Sequence, residues 1–496
     1  MRRIQILLLS LLAILLIVQA IFSLQWQIAH DEAPLFYEAF LMQNGAMPYR
    51  DFFDFQMPGS YVIYYLLGGL SNFGTFRIRI LDLLILAAIL FITYLALKRF
   101  GKTPALAAGI LFGLKYLGGG PALSLQREYL ILIFISLAIF IALQDSLTLK
   151  HRLILGLLFG LASTIKPHAA IGLIPIILFD LYPFVTLRDP SWLKKLLSYS
   201  IGFFIPILLI IIWLASTNAL TSFLNIALNY WGLYSQINGE LVILSTTERI
   251  SYILNIVWRL GSHGLWLIPA AFAIYLNQNK KIVLLASLAL CYAIYPAFTG
   301  QFFSYHYILF LYFIIILASL SFPNSRFPIP NSQFPIYPLS SFLFLLIILF
   351  SIKPSQTFLR QLENKPIVTS SDRAVEIANF LENNLKAGDE VQPLDWTGGT
   401  LLAMLETRAP IGTSYVFDFY FYHHISNPYI QNLRTDFMNQ LQESKPRFII
   451  EVTSADKPWV SGDDTTRTKF PELQNFLNEN YSITIQRDDY IIYEQR

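Results

Sequence analysis

Over its first 352 positions the chain is written in long apolar runs separated by short polar stretches. The runs fall near residues 4–24, 80–97, 104–118, 129–144, 153–165, 168–184, 198–215, 264–277, 282–297, 305–321 and 339–352. A helix that is apolar on every face belongs in hydrocarbon or deep in a core, so each run predicts a membrane helix, about eleven in all. Several are shorter than the ~20 residues an upright span needs and must be extended by flanking polar-aromatic residues or sit where the bilayer thins. After residue 352 the pattern changes. Residues 372–386 keep one apolar face behind a Ser/Asp start and predict a helix, while 446–452, 480–486 and 489–494 read as strands. The expected fold is an all-α polytopic membrane bundle over 1–352 followed by a soluble α/β domain over 353–496.

The first run opens MRRIQILLLSLLAILLIVQAIF, a basic start and about 20 apolar residues. A secretory signal has the same order but ends in a small-x-small cleavage site, so this reads as a retained first helix. The stretch 58–72, PGSYVIYYLLGGLSN, is ambiguous. If it crossed, Lys98–Arg99–Lys102, Lys150–His151–Arg152 and Lys194–Lys195 would all lie outside, against the excess of Lys and Arg found in cytoplasmic loops. If it lies in the outer interface, these loops fall inside together with Arg2–Arg3 and Lys280–Lys281. The second arrangement makes 25–79 one long external loop. It predicts a multi-pass protein of the cell (inner) membrane, with a cytoplasmic N-terminus and an extracytoplasmic C-terminal domain.

Composition agrees: 55% of the residues are hydrophobic and only 14% charged, against roughly a quarter charged in soluble domains. A net charge of +3 is too small to argue for nucleic acid, and the single cysteine, Cys291, lies in an apolar run and forms no intramolecular disulfide. The period-seven near repeat SRFPIPN-SQFPIYP at 325–338 reads as a Pro-punctuated linker. The tail shows no Gly-rich phosphate loop, no metal-spaced Cys/His set and no nucleophile elbow. Its His423–His424 pair reads as exposed, and its aromatic run Tyr415–Tyr422 reads as a hydrophobic strand.

Candidate chemistry therefore sits in the polar segments at the outer ends of the spans. His30-Asp31-Glu32 follows the first run, and Tyr49-Arg50-Asp51 and Gln56-Met57-Pro58 lie further along the same loop. Gly118-Gly119-Gly120-Pro121 and Gln126-Arg127-Glu128 precede the fourth run. Lys166-Pro167-His168 marks the turn between the fifth and sixth, and Ser304-Tyr305-His306-Tyr307 opens the tenth. Anchors at a membrane surface are usually Lys, Arg, Trp or Tyr, so the acidic pair Asp31–Glu32 is harder to explain as one. Glu128 has the bland alternative of favouring a helix N-terminus.

The segment from HDEAPLFYEAF through QMPGSYVIYYLLGG to FRIRILDLLI, followed by KRFGK, QRE and Lys166-Pro167, resembles the membrane glycosyltransferases of the GT-C fold. The likeness covers most of residues 1–320 and is greatest to the glycosyltransferase family 39-like branch of protein O-mannosyltransferases and the lipid A aminoarabinose transferase. It implies transfer of a sugar from a polyprenyl-phosphate-linked donor to a glycan, lipid or protein acceptor, with inversion and among membrane lipids. It maps the family's acidic residues onto Asp31, Glu32 and Glu128, while placement at the outer ends of the spans makes Arg50, Arg127, Lys166, His168, Tyr305 and His306 the candidate substrate-binding residues. Relatives commonly carry Lys-Pro-Pro where this chain has Gln56-Met57-Pro58, which leaves two alternatives: Arg127 or Lys166 neutralises the phosphate instead, or the donor differs. A divalent cation between Asp31 and Glu128 is left open. A lipid or glycan transporter is the alternative class, although transporters place ionisable residues near the midplane and show matching halves. A polymerase or ligase of the outer face is a second alternative, but it gives no account of the acidic pair after the first run.

Overall fold

The structure is a computed structural model describing residues 2–29, 31–276, 279–321, 348, 352, 356–363, 371–395, 398–453, 464–465 and 470–496. His30, the repeat at 325–338 and nearly all of the run at 339–352 lie outside the described residues. In chain order the helices are α1 (Arg2–Ser23), α2 (Glu32–Gln43), α3 (Pro58–Ser71), α4 (Thr75–Leu97), α5 (Lys102–Leu117), α6 (Arg127–Leu130), α7 (Leu132–Ala142), α8 (Leu149–Ile165), α9 (Leu173–Thr186) and α10 (Ser191–Ser216). They continue with α11 (Leu220–Tyr234), α12 (Thr246–Val257), α13 (Leu267–Leu276), α14 (Lys280–Thr299), α15 (Ile308–Ser319), α16 (Gln356–Leu362), α17 (Ser371–Asn384), α18 (Gly399–Thr407), α19 (Pro428–Ser444) and α20 (Pro471–Asn480). The strands are β1 (Val391–Leu394), β2 (Phe448–Val452), β3 (Tyr481–Gln486) and β4 (Tyr490–Gln495).

The first ten apolar runs are all helical. Among the described residues five helical stretches are long and apolar enough to cross a membrane: Ile6–Ser23, Thr75–Phe100, Pro167–Thr186, Ser191–Ser216 and Lys280–Thr299. The remaining runs form shorter helices, as their lengths required. Helix α3 has 14 residues, so it reaches only about 21 Å at 1.5 Å per residue, short of a ~30 Å hydrocarbon core. Its exposed residues Val62, Tyr65, Leu66 and Leu70 share one face, the pattern of a helix lying in an interface.

Two compact units divide the chain. Unit 1 comprises Met1–Trp26, Arg79–Ile210 and Ile253–Ile367; unit 2 comprises Gln27–Ile78, Ile211–Tyr252 and Val368–Arg496. The boundary expected near residue 352 marks the change in composition. The compact units are drawn differently, because the first polar loop and the segment at 211–252 fold with the tail.

In unit 1, α15 is apolar on every side and all twelve of its residues are buried. Around it, Tyr312 stands edge-on to Phe112 of α5 at 5.1 Å and hydrogen-bonds Thr93 of α4 at 2.7 Å, while Phe313 stacks on Tyr292 of α14 at 5.3 Å. Helices α8 and α10 meet backbone to backbone. A Cβ added at Gly156 would lie 2.1 Å from the Tyr199 carbonyl oxygen, one at Gly160 2.3 Å from that of Phe203, and one at Gly202 2.0 Å from that of Leu153. Small residues four apart allow this approach in membrane helices.

The basic loops gather at one end of unit 1. Asp145, after α7, accepts from Arg99 at 2.7 Å and from Lys281 at 2.5 Å, and Arg152 grips Asp180 with two bonds of 2.7 and 2.9 Å. Helices alternate in direction, so Glu128, Lys166 and His306 occupy the other end.

Unit 2 contains a four-stranded sheet in the order β1-β2-β4-β3, with β1 and β2 parallel and the other pairs antiparallel. The three strands and the helix expected from the pattern are present within two residues of their expected bounds. Two expectations for the tail are corrected. The run Tyr415–Tyr422 is not a strand: it carries a short 3-10 turn at Phe419–Phe421, and Tyr415, Val416 and Asp418 through Tyr422 are all buried, so no in-out alternation exists. His423 and His424 are buried, not exposed, at 3% and 7%. Their Nε2 atoms lie 3.0 Å from the carbonyl oxygens of Leu241 and Leu233.

Candidate active site

Glu128 lies in α6, the single turn that leads into α7, and is completely buried. Lys166 ends α8, where the following Pro167 cannot continue the helix. Its ammonium lies 3.1 Å from Glu128 Oε1. Tyr295, near the end of α14, donates its hydroxyl to the same oxygen at 3.2 Å, and His306 Nε2 stands 3.8 Å away. Among the described residues nothing hydrogen-bonds the other oxygen, Oε2. Burial pushes the Glu128 carboxyl up, but the surrounding charges, Lys166 foremost and Arg127 among them, more than offset it and hold the group below its ordinary range. The result is a buried carboxylate beside two cations, with one oxygen fixed and one available.

His306 is oriented from behind by Thr299, whose hydroxyl oxygen lies 3.0 Å from Nδ1. Tyr305 packs edge-on against His306 at 4.6 Å. His168 is exposed, stacks on Phe298 at 5.7 Å and stands 6.3 Å from Tyr295. It lines a cavity of about 430 Å³ whose walls are otherwise mostly apolar, from Ile171 and Ile174 to Phe203 and Phe204 of α10. Unit 1 thus brings six of the expected residues into one cluster: Arg127, Glu128, Lys166, His306 and, at its edge, Tyr305 and His168.

Three expected residues belong to unit 2. Asp31 stands half-buried at the start of α2 but does not cap that helix with its side chain. Glu32 does the holding: its Oε2 accepts the Ala29 amide at 3.0 Å while its own amide donates to the Ala29 carbonyl at 3.1 Å. This reciprocal pair fixes the turn that presents Asp31. Arg50 is engaged by its neighbour Asp51 through bonds of 2.7 and 2.6 Å, and by the Thr217 carbonyl at 2.8 Å. Among the described residues no three His, Cys, Asp or Glu side chains converge to hold a metal ion.

The sequence reading missed Tyr295, for which an apolar helix gives no signal. It also missed Asp54, buried at 1% exposure and accepting from Tyr61 at 2.9 Å and Tyr420 at 3.0 Å. The fixing of the 52–56 loop by the aromatic run of the tail cannot be seen in local pattern.

No protein-family model and no curated protein matches the chain. Solved structures do match in shape. ArnT from Cupriavidus metallidurans bound to undecaprenyl phosphate aligns with a TM-score of 0.60 at 11% identity, over 98% of this chain and 97% of that one. The same protein in the apo state gives 0.59 at the same identity and coverage. The AglB oligosaccharyltransferase of Archaeoglobus fulgidus gives 0.46 at 11% identity, over 98% of this chain and 74% of that one. The chain, a multi-pass membrane protein by its apolar helices, shares its fold with ArnT, the fold of the GT-C membrane glycosyltransferases.

Proposed function

We propose that this protein is an inverting membrane glycosyltransferase that moves a sugar from a polyprenyl-phosphate donor to an acceptor hydroxyl on the extracytoplasmic face. The observation that supports it most is the buried Glu128 between Lys166 and Tyr295, with Arg127 alongside and Oε2 left to accept. Such a site has cations for a phosphate and an acceptor for a sugar hydroxyl. The mostly apolar cavity beside His168 suits an isoprenoid chain. The likeness in fold to a structure holding undecaprenyl phosphate points the same way.

In the transfer the acceptor oxygen attacks C1 of the sugar as the C1–O bond to phosphate breaks, and the bonding pair leaves with the polyprenyl phosphate. The acceptor proton passes to the Asp31 carboxylate, a contribution of about 10²–10⁴-fold. Lys166 and Arg127 stabilise the departing phosphate, which needs no strong acid. Glu128 keeps these cations in place, and Glu32 keeps the turn carrying Asp31. His168, Tyr305 and His306 are assigned to the substrate. The protein sits in the inner membrane with its N-terminus cytoplasmic and its tail extracytoplasmic.

The test is transfer from radiolabelled polyprenyl-phosphate monosaccharides by purified protein, wild type against Asp31→Asn. Transfer by wild type alone supports both the activity and the base. Equal transfer by both removes Asp31 from the mechanism, and no transfer with any donor and acceptor pair removes the activity.

A further inference from the structure

Two charges that the transfer reading leaves unused, Arg79 and Asp82, lie three residues apart within an otherwise apolar stretch of α4, on the same face. Both are buried, at 0% and 1% exposure. Ionisable groups inside a membrane helix are costly and rarely lack a task.

Their hydrogen bonds tie down the segment that leads into Glu128. Asp82 accepts the Tyr116 hydroxyl on Oδ1 at 2.7 Å and the Ser124 hydroxyl on Oδ2 at 2.8 Å. Arg79 donates to Ser124 Oγ at 2.6 Å and to the Trp26 carbonyl at 3.1 Å. The Tyr116 oxygen in turn accepts the amide of Leu125 at 3.0 Å. Tyr129, one residue past Glu128, stacks on Tyr116 at 3.9 Å and donates to the Asp82 carbonyl at 3.0 Å. Leu125 has φ of 47°, a left-handed conformation that a side chain disfavours, so its backbone needs such a restraint. The chain is therefore pinned on both sides of Arg127 and Glu128.

We propose that Asp82 is a positioning residue for Glu128, setting the direction in which the buried carboxylate meets Lys166 and the substrate. This rests on the assignment of Glu128 to the transfer site. An aspartate is required because both oxygens accept. Asparagine would put an NH2 where one hydroxyl donates and would remove a negative charge that interacts with Arg79.

The experiment uses the full chain in nanodiscs. Asp82→Asn should lower kcat by about 10²-fold, the scale of a small misplacement at a reacting centre, with little change in donor KM. In the Glu128→Gln background the same change should cost less than about twofold, since groups acting as a unit are not additive. Asp82→Glu, which keeps two acceptors, should recover part of the rate. Tyr116→Phe keeps the stack but removes the acceptor for Leu125, and should speed hydrogen exchange at that amide. Full kcat in Asp82→Asn overturns the proposal. So do multiplicative losses in the double variant, which would mean that Asp82 only supports the fold. Wild-type transfer by Glu128→Gln would instead remove Glu128 from the reaction and the positioning role with it, while faster exchange at Leu125 would still establish the brace.

Discussion

Lys166 and Glu128, 38 positions apart in sequence, meet at 3.1 Å in a place where the carboxylate has no exposed surface. A buried pair of this kind contributes little net stability over an apolar pair, but removing one partner strands the other. Lys166→Met should therefore destabilise the protein by about 3 kcal/mol, since Arg127 compensates only in part. Adding Glu128→Gln to it should restore most of that stability without restoring transfer. Thermal unfolding of the purified variants beside their transfer rates checks both statements. Equal melting temperatures for Lys166→Met and wild type would mean that Glu128 is not held as an ion here.

The neighbours Asp31 and Glu32 should respond differently to the loss of charge. Asp31→Asn removes the assigned base and should cost about 10²–10⁴-fold in kcat. Glu32→Gln keeps an oxygen for the Ala29 amide and should leave both stability and rate near wild type. Glu32→Ala orphans that buried amide and should cost about 1–3 kcal/mol. A kcat lost in Glu32→Gln as fully as in Asp31→Asn would move the base to Glu32.

How far the sequence revealed this is visible in these residues. Membrane helices are legible because a span needs a long apolar run and nothing else. The candidates Asp31, Arg127, Glu128 and Lys166 are legible because charge at the edge of such a run must have a reason. The pairing of Glu128 with Lys166 is not, since nothing local encodes which helix ends adjoin. Nor is the division into units: Tyr37 donates to the Ala409 carbonyl at 2.7 Å across 372 positions, and no periodicity anticipates that bond. Run lengths misled where one element is built of pieces. The fourth run became α6 and α7, and the aromatic stretch at 415–422 looked like a strand because its rings are apolar, although every residue of it except Phe417 is buried.

The close approach of α8 and α10 gives a prediction that is independent of chemistry. Gly156→Leu would force a side chain against the Tyr199 backbone carbonyl, which lies 2.1 Å from an added Cβ and cannot swing away as a side chain could. Helix separation must follow, at a cost of at least about 1–3 kcal/mol for overpacking. Because α8 ends at Lys166, transfer should fall as well. Gly232 is the matching control: with open space around it, it should accept Ala without loss of melting temperature. Equal tolerance at 156 and 232 would show that the helices do not touch through these glycines.

Stability should also depend on pH through His423. Burial lowers its imidazole from the ordinary 6.5 to about 4, with the charge of His424 acting in the same direction and the bond to the Leu241 carbonyl opposing. The folded state thus prefers the neutral ring, and the unfolded chain binds the proton more readily. By linkage the contribution is fully present above pH ~6.5 and is lost as pH falls toward about 4, amounting to about 3 kcal/mol at the lower limit. Around the pair stand the His424 ring, itself lowered by burial, and Asp464, whose charge raises His424. Denaturant midpoints measured between pH ~7.5 and ~4 should fall more steeply in wild type than in His423→Gln, which keeps a donor for Leu241 but has nothing to protonate. Parallel curves for the two proteins would mean that acid acts elsewhere, and that His423 takes up its proton at the same pH in the folded and unfolded chain.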